Sequence, residues 1–208
     1  MLPKKLVRSV LLAWVALSLP GLMFAQQNWN FPDFSATQVF ASRKAEMAMK
    51  VFRSGSTVRV DRSSAMSTLY VPSRKTVYNL TTYPDNSHQC VSMKPEQARM
   101  LPSPLQLILG RIVSRKPAGT EVVNGHATRI EDVEVVQFDG KTIHSRVWLA
   151  DDLQGIPVQI ESYVGKITLL AEYRDVVFAA PDANLLRVPD RCTPFEKMGQ
   201  VAESHVVK

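Results

Sequence analysis

From Phe34 onward, apolar and polar residues alternate with a period of two along most of the chain, and the longest such stretch runs from His144 to Phe178. A period of two is the signature of strands whose successive side chains point to opposite faces of a sheet. In the first segment Ile143, Val147 and Leu149 share one face, with Arg146 and Trp148 on the other. The next alternates Ile156, Val158, Ile160 and Val164 against Gln159, Glu161 and Tyr163. The third alternates Ile167, Leu169, Ala171 and Tyr173 against Lys166, Glu172 and Arg174. Asp151 to Gly155 and Val164-Gly165-Lys166 supply the turns between them. Three consecutive antiparallel strands with one apolar face follow, and that face requires a cover.

Earlier in the chain the same pattern predicts strands over Phe34 to Ser42, Ala45 to Arg53, Thr57 to Arg62, Ser67 to Val71, Lys75 to Thr82 and Gln89 to Met93. Each is short and bounded by turn residues, as in a β-meander. The period changes once. Ser103-Pro104, followed by Leu105, Ile108, Leu109 and Ile112 at i, i+3, i+4, i+7, predicts a helix over Ser103 to Val113. A weaker helical turn is expected at Pro95 to Met100. Strands resume at Glu121 to Val123, turn at Asn124-Gly125, and continue over Ala127 to Phe138. Beyond Pro181 the chain reads as loop, with Asp182 to Pro189 running along the sheet and a flexible tail from residue 196. The expected fold is mainly β (α+β): a curled antiparallel sheet, or incomplete β-barrel, of about ten to eleven strands with a helical plug.

The 208 residues, 45% of them hydrophobic, suffice for one domain with a real core. The first 25 residues stand apart from it. Lys4, Lys5 and Arg8 precede an apolar run, Val10 to Leu19, that Pro20-Gly21 interrupt. This predicts a secretory signal peptide cleaved after Ala25, the alternative being an uncleaved anchor with a short apolar run. Residues 26–195 then form the domain, periplasmic or secreted and soluble. The whole chain carries 25 basic and 19 acidic residues; without the signal the net charge falls to +3. That charge is scattered along strands, so nucleic acid is not an expected partner. Cys90 and Cys192 are an even pair in an exported chain, which predicts one disulfide tying the C-terminal segment to the early strands.

Motifs for catalysis are missing: no G-x-S-x-G, H-E-x-x-H, phosphate-binding glycine loop or C-x-x-C occurs. His88, His126 and His144 are widely spaced, and Glu131, Asp132 and Glu134 lie on a strand rather than in a tight oxygen-rich loop. Neither group predicts a metal site, no cofactor is expected, and the chain is not expected to be an enzyme.

The segment RVWLADDLQGIPVQIESYVGKITLLAEYRDVVF, from Arg146, and LLRVP at Leu185 to Pro189 carry a resemblance. Arg146 to Leu149, Ile156-Pro157 and Tyr173 to Val176 stand in the order found in exported proteins of the periplasmic outer-membrane lipoprotein-sorting (LolA/LolB-like) superfamily, which this chain resembles. The resemblance implies an incomplete antiparallel barrel whose concave apolar face is covered by helices and holds acyl chains. On that basis the expected cavity wall comprises Met47, Met49, Val58, Val60, Val147, Leu149, Val158, Ile160, Ile167 and Leu169. Leu105, Ile108, Leu109 and Ile112 are its expected lid. The same residues would also suit a packed interior. The expected partner is a lipid or lipoprotein acyl chain bound by a monomer; an envelope sensor that binds a protein partner is the alternative.

Overall fold

The computed structural model describes residues 31–41, 46–98, 110–136, 140–164 and 167–198. Strands β1 (Phe34–Ala41), β2 (Glu46–Ser54), β3 (Thr57–Asp61), β4 (Met66–Val71), β5 (Thr76–Thr82) and β6 (His88–Met93) come first. They are followed by β7 (Arg111–Val123), β8 (His126–Val136), β9 (Thr142–Ala150), β10 (Ile156–Val164), β11 (Ile167–Val177) and the short β12 (Thr193–Pro194). All join one 12-stranded sheet in the order β12-β6-β5-β4-β3-β2-β1-β11-β10-β9-β8-β7, curled but not closed. Every pairing is antiparallel except that of β12 with β6. The twelfth strand, a parallel pair of two residues, is too short to leave a pattern in the sequence.

Residues directly opposite one another on paired strands share a face, so the register traces each face across the sheet. Val58 opposes Tyr70, Tyr70 opposes Val77, and Val77 opposes Met93. On the other side, Phe34 opposes Arg53 and Arg53 opposes Val58. The inner face, apolar apart from isolated polar positions such as Arg53 and Gln38, therefore runs across β6–β1 and on through β11, β10, β9 and β8 to Ile112 on β7.

Two expectations need correction. The expected helix ran through Val113, but Arg111 to Val113 begin β7, where Ile112 opposes Val135. Ile112 satisfies the helical spacing from Leu105 and the strand pairing equally well, and pairing with β8 decided its state. Leu105, Ile108 and Leu109 lie outside the described residues. β7 also extends through Ser114 to Thr120, ahead of the strand expected from Glu121, and includes Pro117 and Gly119. At a sheet edge both are tolerated, with register shifts between Ile112 and Ser114 and between Pro117 and Gly119 absorbing the irregularity. Val158 is the second correction. A register shift between Pro157 and Gln159 inserts it as an extra residue, and it packs with Trp148 and Ala150 on the outer face instead of joining Ile160.

The tight turn expected at Asn124-Gly125 forms, with both residues at positive φ (51° and 85°), as a two-residue hairpin requires. At the expected weaker helical turn, Pro95–Gln97 form a single 3₁₀ turn.

The C-terminal segment crosses the outer face of β3–β6. Leu186, Val188 and Cys192 pack on Leu69, Val71, Tyr78, Leu80 and Cys90. Arg59, on the same face of β3, donates to the Leu185 carbonyl at 2.9 Å. Cys90 and Cys192 form the expected disulfide, with Cα atoms 4.6 Å apart and a sequence separation of 102. The chain then pairs as β12, turns at Phe195–Lys197, and packs Met198 against the inner-face cluster around Tyr70 and Val77.

Candidate functional site

Alternation places the site. On β1, Phe34, Ala36, Gln38 and Phe40 point inward, and on β11 Ala171 and Tyr173 do so beside them. Val147 and Leu149 on β9 and Ile160 on β10 continue the surface, all at most 1% exposed. Phe31, Phe34 and Tyr173 stack edge to face, with ring centres 6.4 Å and 6.5 Å apart. Each ring meets the next edge to face, a favoured geometry for aromatic pairs, in a row that runs from Phe31 to Tyr173.

Of the expected wall residues, Met49, Val58, Val60, Val147, Leu149 and Ile160 are brought together on this face, with Ile112. Met47 shares the alternation of Met49 but is 48% exposed at the end of the sheet, so it is a rim residue, not wall. Leu169 is half-buried. Val158 is on the opposite face. The Ile167 side chain lies outside the described residues.

Several polar groups interrupt the inner face, each a polar residue on a stripe that alternation marks as apolar. Gln38 Nε2 donates to Tyr173 Oη at 2.9 Å, both residues buried, and Gln38 Oε1 has no partner. Burial pushes the Tyr173 phenol far above the ordinary tyrosine range, the Gln38 bond opposing this only in part, so the phenol stays neutral. Ser145 and Ser162, directly opposed on β9 and β10, share a buried hydrogen bond of 3.0 Å. Tyr70 is likewise pushed up to about 12, by burial and then by the nearby Glu96 carboxylate.

Charge is confined to the margins of this face. Arg53 lies over the Phe31 ring at 5.4 Å and donates to the Gly55 carbonyl, while burial lowers its pKa. Asp33 accepts from the Gly55 N–H and the Ser54 hydroxyl, which hold its carboxyl below the usual range. At the β7 side, Arg115 donates to Glu131 at 2.6 Å, and Arg129 lies 3.4 Å from the other carboxylate oxygen.

Among the described residues, two clefts open on the outer face. One, of about 450 Å³, is lined by Lys116, Asp132, Glu134, His144, Arg146 and Tyr163. Within it Arg146 pairs with Asp132 at 2.8 Å, and His144 Nδ1 lies 3.6 Å from Glu134. The other, of about 420 Å³, lies between β5, β6 and the C-terminal segment, against Leu80, Cys90 and Pro189. His126 pairs with Asp152 at 2.7 Å and His88 with Thr82 at 3.1 Å, so the histidines do not converge. Among the described residues no three His, Cys, Asp or Glu side chains form a metal-binding group, and no helix is long and apolar enough to cross a membrane.

No family model matches the chain, and no curated protein matches it. Similar solved structures include proteins of the superfamily that the sequence resembles. A LolA superfamily protein from Nitrosomonas europaea is 10% identical with a TM-score of 0.43, over 77% of this chain and 92% of that one. LprF from Mycobacterium bovis is 13% identical with a TM-score of 0.35, over 73% and 90%. The Pseudomonas aeruginosa MucA/MucB complex matches at 15% identity and a TM-score of 0.43, over 77% of this chain. There the chain spans only 57% of the protein it matches. At such low identity and TM-score, these likenesses assign neither ligand nor partner.

Proposed function

We propose that the chain is an exported periplasmic binding protein that cradles an apolar ligand, a lipid or lipoprotein acyl chain, against the inner face of its sheet. One observation carries this reading: the largely apolar inner face extends from Met93 near one edge to Ile112 on the other, and residues 94–110 join those edges in the chain. Ala98 packs on the inner face with Tyr70 and Val77, and Ile112 packs on it from β7. The connection between those edges carries Leu105, Ile108 and Leu109, the proposed lid. Each buried methylene of a bound chain contributes about 0.8 kcal/mol, enough for useful affinity from one acyl chain. Delivery of lipoproteins to the outer membrane is the narrower form of this role, and the proposed leader, residues 1–25, is the export signal.

The test is probe binding by the purified protein. Wild type is expected to bind N-phenyl-1-naphthylamine or a fluorescent fatty acid. Val147→Trp, which fills the middle of the wall, is expected to abolish that binding while a cooperative unfolding transition remains. If wild type binds neither probe and Val147→Trp unfolds the chain, the face is solid core and the reading fails.

A second reading, an envelope module for a protein partner, is favoured by β7. It is the sheet edge opposite β12, it is 13 residues long, and Val113 and Val122 on it are 43% and 70% exposed. Such an edge can accept a partner strand. A stable protein complex recovered from envelope extract, with no lipid in its native mass, would favour this reading over the first.

A further inference from the structure

The Gln38–Tyr173 pair sits in the middle of the proposed cradle with its hydrogen bonding incomplete. Gln38 is wholly buried between Ala36 and Phe40, and Tyr173 is 3% exposed. As placed, Gln38 Nε2 donates to Tyr173 Oη, which leaves Gln38 Oε1 an acceptor with no partner. The phenol accepts that bond, so its own proton remains available. Side by side, the pair offers one donor and one acceptor. Exchanging the amide oxygen and nitrogen does not change this: the phenol then donates to Gln38 Oε1, the phenol oxygen becomes the open acceptor, and Gln38 Nε2 the open donor. An open polar valence on an apolar wall carries a desolvation penalty that a methionine at the same position would avoid. A ligand group that fills it would relieve that penalty.

We propose that Gln38 and Tyr173 bind the polar linkage of a neutral acyl amphiphile, an amide or hydroxyl group attached to the chain. Its hydrocarbon would lie along Ala171, Ile160 and Val147. The inference rests on the cradle reading and names the class of ligand that the cradle takes. A group with both a donor and an acceptor satisfies both open positions at once. A carboxylate supplies acceptors only and brings a charge to a neutral pair, so free fatty acids are the poorer fit. Aromatic order supports the placement, because Phe34 holds the Tyr173 ring edge to face.

The experiment is displacement of N-phenyl-1-naphthylamine by dodecanamide, monododecanoylglycerol, dodecanoate and dodecane, from wild type, Gln38→Met and Tyr173→Phe. On wild type, the amide or the glycerol ester is expected to compete about tenfold better than dodecane, the worth of one well-made hydrogen bond. Whichever of the two is the stronger identifies the source of the shared chemistry. Both variants should lose that preference, and their retained unfolding transitions would exclude simple misfolding. If the four ligands compete equally on wild type, or the preference survives in both variants, the pair is a structural contact completed by water. The cradle reading would then stand and this inference would fall. Preference for dodecanoate would also overturn it, and failure of every ligand and probe to bind would sink the cradle and the inference together.

Discussion

The outer face of the sheet is built in two ways. Across β4–β6 its central positions are apolar: Leu69 and Tyr78 oppose each other, with Val71 and Leu80 beside them, under the C-terminal segment and the disulfide. Across β8–β10 the equivalent positions are Asp132, Glu134, His144, Arg146, Glu161 and Tyr163, matched in pairs and open to water. The apolar exception there, Trp148 with Ala150 and Val158, is small and is anchored by Trp148 Nε1 donating to Glu121 at 2.9 Å. A sheet already apolar on its inner face can afford apolar residues outside only where another segment covers them. On one half of the molecule a distant strap does so, and on the other half solvated ion pairs take its place.

If this contrast is right, the two halves should respond very differently to mutation. The largest effect is expected from Cys192→Ser, which opens a loop of sequence separation 102. The chain-entropy value for such a loop is about 4–5 kcal/mol. Denaturant unfolding with and without reductant would measure it, and equal midpoints would show that the strap is held by packing alone. Leu69→Ala, beneath the strap at 0% exposure, should destabilise by about 2–5 kcal/mol. Its cost should shrink in the reduced protein, because a loosened strap closes around the missing volume; a double-mutant cycle with Cys192→Ser reads that coupling.

The smallest effect is expected on the solvated half. Asp132→Asn should cost less than about 1 kcal/mol, because the Arg146 pair is exposed and screened. The Arg146 hydrogen bond holds the Asp132 carboxyl below its ordinary value, so the contribution is complete above that value and fades as pH falls through the lowered one. Stability against pH, compared for wild type and Asp132→Asn, should therefore differ above about pH 4 and converge below it. Convergence at neutral pH would mean that the pair contributes nothing measurable.

Much of the fold is legible in the residues because a buried face imposes period two on every strand that crosses it. The strands from Phe34 to Met93 and from His126 to Val177 follow that pattern closely. So does the passage of Leu186 and Val188 along the sheet. β7 escaped because an edge strand need not alternate strictly and tolerates Pro117 and Gly119. Val158 escaped because one inserted residue flips the side chains around it, and nothing local marks the insertion. The candidate site was legible as an apolar wall. Its polar pair was not, because Gln38 and Tyr173 are 135 residues apart and meet only when β1 pairs with β11.

The sequence by itself determined the elements that local chemistry specifies: alternating strands, the Asn124-Gly125 turn, and two cysteines able to pair. Only the tertiary structure decided which strands become neighbours, which edge β7 occupies, and which face of β3–β6 the C-terminal segment covers. Those choices depend on long-range backbone pairing and on the burial of both faces at once. Neither leaves a periodic trace in the residues that take part.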